Sequence, residues 1–91
     1  MPIPVKDLQE HQQPLAGRVL DFLNGKRGEA FTVHEIAREV EGYGDDRLLF
    51  FFTAYADPAL MARYRAAMGI LQLAGKVQGG QVRGEVYYAA R

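Results

Sequence analysis

The residue types that most often carry catalysis are scarce in this chain of 91 residues. It has no cysteine and no serine, which excludes disulfides, thiolate metal sites and the two commonest nucleophiles. The two histidines, His11 and His34, are far apart, and no acidic cluster has the spacing of a metal site. The adjacent Asp45 and Asp46 are explained by helix capping. We therefore expect no enzymatic activity, no metal and no cofactor.

The charged side chains are divided unevenly, although the formal net charge is zero. Residues 1–57 carry six basic and ten acidic side chains, a net charge of −4, and residues 58–91 carry five and one, a net charge of +4. The basic part could bind nucleic-acid phosphates, or it could be an ordinary solvated surface. The nucleic-acid-binding candidates are Arg63, Arg65, Lys76, Gln78, Gln81 and Arg83.

Two apolar segments are candidates for an interface with a second chain or another protein. Residues 50–52 are three consecutive phenylalanines, which cannot all lie on one side of a helix. Some of their area therefore stays exposed unless another chain covers it, so core packing alone and core packing with self-association both remain open. The interface candidates are Leu49, Phe50, Phe51, Ala62, Ala66, Ile70 and Leu73.

Periodicity and capping signals predict the elements that position these residues. Apolar residues at helical spacing predict a helix over 14–24, with Pro14 as its first residue. Thr32 and Glu35 have the spacing of a capping box, which predicts the start of a second helix that ends at Gly42. Residues 30–32, just before it, could form a very short strand.

The segment 43–57 is harder to assign, because a short apolar run suits a buried strand as well as a helix. We favour a helix over 46–56, since Asp45 or Asp46 can cap it. Leu48, Phe51, Phe52 and Tyr55 would then form its apolar stripe, with Leu49 and Phe50 off that stripe. Asp57 caps the next helix, 58–74, whose predicted core face is Leu60, Met61, Tyr64, Ala67, Met68 and Leu71.

The rest of the chain is interpreted as a C-terminal hairpin and an N-terminal arm within one domain, 1–91. Residues 75–91 predict a hairpin that turns either tightly at Gly79-Gly80 or through a longer loop over 79–84. Residues 1–13 form an arm or a short helix. No apolar run reaches the roughly 18 residues of a membrane span and residues 1–4 do not resemble a secretory signal, so we expect a cytoplasmic protein.

The order helix, short strand, helix, helix, hairpin resembles the winged-helix variant of helix-turn-helix domains. The closest match is the end of the chain, with Leu71-Gln72-Leu73-Ala74-Gly75-Lys76-Val77 followed by Val86-Tyr87-Tyr88-Ala89. These segments resemble the last helix and the wing of small bacterial winged-helix repressors. Thr32-Val33-His34-Glu35-Ile36-Ala37 resembles the start of the family's second helix. The resemblance covers residues 14–91 and implies an α+β, mostly helical fold, with three or four helices and a C-terminal β-hairpin.

The chain departs from this family in two places. The family joins its second and recognition helices by a turn of about three or four residues, whereas here the fifteen residues 43–57 intervene. The family recognises bases from the first part of that helix, but residues 57–62 hold no side chain that could donate to a base edge. The face opposite the core is also small and apolar, which suits close packing against 46–56 or against a second chain.

Two functions remain open from the sequence. The resemblance and the basic C-terminal part favour a DNA-binding, transcriptional-regulator-like homodimer that holds duplex phosphates with the helix 58–74 and the wing. The neutral total charge and the absence of base-recognising donors favour a protein-interaction or dimerisation module. The position of 43–57 distinguishes them in part, because that segment would block base recognition if it covered the outer face of the helix 58–74.

Overall fold

The computed structural model describes Pro2 and residues 14–91, so the predicted N-terminal arm lies almost wholly outside the described residues. The described part has an α+β, mostly helical fold that ends in an antiparallel two-stranded hairpin, as predicted. Its elements are α1 (Leu15–Asn24), α2 (Val33–Val40), α3 (Arg47–Ala56), α4 (Pro58–Leu73), β1 (Val77–Val82) and β2 (Glu85–Ala90).

The capping box predicted at the start of α2 is confirmed. The hydroxyl of Thr32 accepts from the Glu35 amide at 3.2 Å, and the Glu35 carboxylate accepts from the Thr32 amide at 3.0 Å. Phe31 exchanges two backbone hydrogen bonds with Tyr88 of β2, at 2.9 and 2.7 Å. The short strand expected at 30–32 is therefore a single bridge, which places Phe31 beside β2 on the side away from β1.

The long helix α4 lies at the centre of the core. All six residues predicted for its core face are buried. The other elements supply the remaining buried apolar side chains, which are Val19, Leu23, Ile36, Ala37, Phe50 and Val77. Val19 and Leu23 belong to the stripe predicted for α1, although Pro14 stands at the N-cap of that helix and not at its first position.

Tyr64 connects the α4 core face to the end of α2 through its hydroxyl. Its side chain is fully buried, and its hydroxyl donates to the Glu41 carboxylate at 2.7 Å, just beyond the end of α2. The Arg18 guanidinium of α1 is 4.0 Å from the same carboxylate oxygen. Burial, and then the hydrogen bond to Glu41, raise the pKa of Tyr64 well above its usual value of 10.0.

The hairpin turns at Arg83-Gly84, so both predictions for its turn are wrong. Val82 pairs with Glu85, and both turn residues have positive φ, +53° and +83°, as a two-residue type I′ turn requires. Gly79 and Gly80 are instead inside β1. The ring of Tyr88 lies over Gly79, where a Cβ atom would come within 3.3 Å of it. That close approach explains the glycine without a turn.

We predict that Tyr64→Phe lowers the free energy of unfolding by roughly 1–2 kcal/mol at neutral pH, because a hydrogen bond to a carboxylate is lost. The difference from wild type should shrink above about pH 10. There the unfolded chain loses the Tyr64 proton while the folded chain keeps it, which costs the wild type about 1.4 kcal/mol per pH unit. Urea unfolding of both proteins across this range measures the effect. A stability difference that is constant up to pH 12 would contradict the assigned environment of Tyr64.

Candidate interaction surfaces

The helix α3 is anchored to the core through Phe50. This side chain is only 2% exposed, and its ring meets the rings of His34 and Tyr43 edge-on at centroid distances of 5.3 and 5.5 Å. The sequence pattern predicted that Phe50 lies off the apolar stripe of this helix, and Phe50 was one of the interface candidates. The interface assignment of Phe50 is wrong, because its own chain buries it.

Polar contacts hold α3 in this orientation. The Asp46 carboxylate caps the helix by accepting from the Leu49 amide at 3.1 Å. Of the two predicted capping residues, Asp45 and Asp46, it is therefore Asp46 that caps α3. On the buried side, the Tyr43 hydroxyl donates to the Thr53 hydroxyl at 3.2 Å, and the Thr53 hydroxyl donates to the Leu49 carbonyl at 2.9 Å. Thr53 and Phe50 are three residues apart and therefore share one face of the helix, toward α2.

The opposite side of α3 is apolar and faces solvent. We call it the α3 apolar face; it consists of Leu48, Leu49, Phe51, Phe52 and Tyr55, which are 52–80% exposed. Four of these residues have the i, i+3, i+4, i+7 spacing of a stripe that normally packs on a core. The predicted stripe therefore exists, but it points outward. Leu49 and Phe51 are exposed, as interface candidates must be. The interface candidates chosen from the sequence did not include Leu48, Phe52 and Tyr55, although all three belong to the predicted stripe.

The outer face of α4 is open, because α3 does not cover it. Ala62 and Ala66 are exposed, and Ile70 and Leu73 are 60% and 93% exposed. These four interface candidates form a band of small and apolar side chains on the solvent side of the helix. The insertion 43–57 thus leaves this face accessible to a duplex or to another protein.

Two of the basic candidates flank that band. At 100° per residue, Arg63 and Arg65 lie about 160° apart around α4, with Ala62 and Ala66 between them. Arg63 is 3.6 Å from the Asp57 carboxylate, which makes this ion pair in place of the predicted capping hydrogen bond. Both partners are about half exposed, so separating them costs at most about 1 kcal/mol.

Arg65 lines a groove of about 400 Å³ between the start of α2 and the hairpin. His34, Glu85 and Val86 also line it. Glu85 follows the turn and accepts a hydrogen bond from the Tyr87 hydroxyl at 3.1 Å, which raises the pKa of Tyr87. This carboxylate reduces the positive potential that Arg65 and Arg83 create around the turn.

The basic candidates of the hairpin fall into two groups. Arg83 is in the turn and Gln81 is one residue pair from it, whereas Lys76 and Gln78 are at the opposite end of the hairpin. Six strand residues separate these ends by about 20 Å, so Lys76 and Gln78 cannot act together with Arg83 at the turn. Lys76 shares a polar pocket with Arg27 and Arg91, a basic cluster that sequence separation concealed.

Among the described residues, no three histidine, cysteine or acidic side chains are grouped as metal ligands would be. No helix within the described part of the chain has the length and apolar character needed to cross a membrane.

The chain matches no protein-family model, no curated protein sequence and no solved structure. The two surfaces that bear on its function are the outer face of α4 with its flanking arginines and the α3 apolar face.

We predict that Phe50→Ala destabilises the protein by about 3–5 kcal/mol, since it empties a buried site. Leu73→Ala removes an apolar side chain that is 93% exposed and should change stability by less than about 0.5 kcal/mol. Urea unfolding of the two variants measures both effects. Equal losses would mean that α3 is not anchored through Phe50.

Proposed function

We propose that this protein is a winged-helix-type domain that binds duplex DNA through its phosphates, using α4 and the hairpin turn. The observation that carries the proposal is the open outer face of α4 with an arginine on each side. The bridge between Phe31 and Tyr88 supports the winged-helix comparison, because it adds a third strand position next to the C-terminal hairpin.

The dimensions of α4 suit the major groove of B-DNA. A helix with its side chains is about 10–12 Å across, and the groove is about 12 Å wide. With Ala62 and Ala66 toward the groove floor, Arg63 and Arg65 extend toward opposite phosphate backbones. The pair between Arg63 and Asp57 is weak enough to yield to a phosphate.

The same geometry explains why binding should depend little on sequence. The side chains between the two arginines are small and apolar, so they donate no hydrogen bond to a base edge. Phosphate contacts orient a protein on DNA without distinguishing base pairs. Arg83 in the hairpin turn can add a contact to the neighbouring backbone, while Lys76 lies about 20 Å away along the hairpin.

We predict that replacing Arg63, Arg65 and Arg83 together by alanine weakens duplex binding at low salt by about 10–100-fold. If each contacts one phosphate, the negative slope of log K against log salt should become less steep by about 3. Fluorescence anisotropy at several salt concentrations, with two unrelated duplexes, measures both quantities. Lys76→Ala is the control and should keep most of the affinity, since Lys76 is far from the turn. Absence of wild-type binding at low salt would overturn the proposal.

The second candidate function is a protein-interaction module without DNA binding, and the α3 apolar face favours it. Five large side chains of a ten-residue helix face solvent. An apolar patch of this kind on a small protein marks an interaction site.

We predict that the triple arginine variant keeps any association made through α3, because the three arginines lie outside that helix. Sedimentation velocity of the wild type and the triple variant tests this separation. Loss of association in the variant would show that the two surfaces are not independent.

A further inference from the structure

The residues of the α3 apolar face make it suitable for a copy of itself. All five carry large apolar side chains, and the face contains no charged residue that would repel an identical face. The rings of Phe51 and Phe52 are 5.8 Å apart and offer an aromatic surface at the middle of the helix. A self-complementary patch is what a two-fold symmetric pair requires, since each chain contributes the same surface.

The exposed area is close to what a stable dimer needs. A large aromatic side chain hides about 150–250 Å² when fully buried and a leucine less, so at the observed exposures the three aromatic and two leucine side chains offer at most roughly 600 Å² per chain. A standard protein interface buries about 800 Å² on each partner. The side chains around the face can supply the remainder.

The charges at the two ends of α3 indicate an antiparallel arrangement. Arg47 is the first residue of the helix, where the helix dipole disfavours a cation, and its neighbour Asp46 is engaged in capping the same helix. Asp57 directly follows the last residue, and its only ion pair among the described residues is the half-exposed one with Arg63 at 3.6 Å. Among the described residues Arg47 forms no ion pair. When two copies of α3 lie antiparallel, Arg47 of one chain is next to Asp57 and the C-terminal carbonyls of the other, at both ends of the pair.

We propose that the protein forms a two-fold symmetric homodimer in which the α3 apolar faces of two copies pack antiparallel, with Arg47 of each chain beside Asp57 of the other. The inference rests on the second candidate function and is independent of DNA binding.

The first test is the oligomeric state of the full chain by sedimentation velocity and light scattering over a wide concentration range. The wild type should be a dimer. Phe51→Glu should make it a monomer without loss of folding, because Phe51 is exposed in the single chain. The matched control is Leu73→Glu, which places the same charge on the most exposed leucine of α4 and should leave the dimer intact. Circular dichroism and thermal unfolding verify that each variant is folded.

A wild-type monomer at every concentration would overturn the homodimer. Binding of a hydrophobic fluorescent dye distinguishes a failure of the homodimer proposal alone from a failure of the protein-interaction function as well. If the monomer binds dye and Phe51→Glu abolishes that binding, the face is open to another partner and the interaction function stands. If it binds none, both proposals fail.

The second test determines the direction of packing and exploits the absence of cysteine from the chain. Leu48→Cys and Tyr55→Cys proteins are prepared separately, mixed and oxidised mildly. Antiparallel packing places residue 48 of one copy near residue 55 of the other, so the mixed species should form far more than the roughly one half of all disulfides that random pairing of equal amounts gives. A mixture in which the two homodisulfides together exceed the mixed species would show parallel packing and overturn the proposed arrangement.

Discussion

The direction in which Phe50 points determines the surface of this protein. Its ring lies against His34 and Tyr43, and burying a side chain of this size is worth several kcal/mol compared with leaving it in water. Since α3 is short, the packing of Phe50 and the hydrogen bond from Tyr43 to Thr53 on the same side together set the rotation of the helix about its axis. The apolar stripe then faces solvent, and the outer face of α4 remains uncovered.

The two resulting surfaces differ in the partner that they suit. The α4 surface combines small side chains with flanking arginines, and it can approach a polyanion closely without distinguishing bases. The α3 apolar face has no charge and a large hydrophobic area, which suits another apolar surface. The surfaces lie on different helices, so one protein can use both. A dimer formed through α3 would present two α4 surfaces, which would increase the avidity for an extended duplex.

Much of the fold followed from local patterns in the sequence. The capping box at Thr32 and Glu35, the core face of α4 and the presence of the hairpin were all predicted, because each depends on residues close together in the chain. The position of the hairpin turn was not predicted correctly. Gly79-Gly80 is a strong turn signal, but turning at Arg83-Gly84 pairs all six residues of each strand and keeps Val77 and Tyr88 against the core.

The sequence by itself determined which residues share a face, because helical periodicity depends only on spacing. Periodicity was sufficient to orient α4, because one of its faces carries large apolar side chains and the other carries mostly small ones. It was insufficient for α3, which is apolar almost all the way round and whose regular stripe indicates the opposite orientation to the one observed. Only the tertiary structure decided the orientation, by packing the ring of Phe50 against His34 and Tyr43. It also decided which basic residues are neighbours, since Arg27, Lys76 and Arg91 meet only when the end of β2 returns to the start of β1.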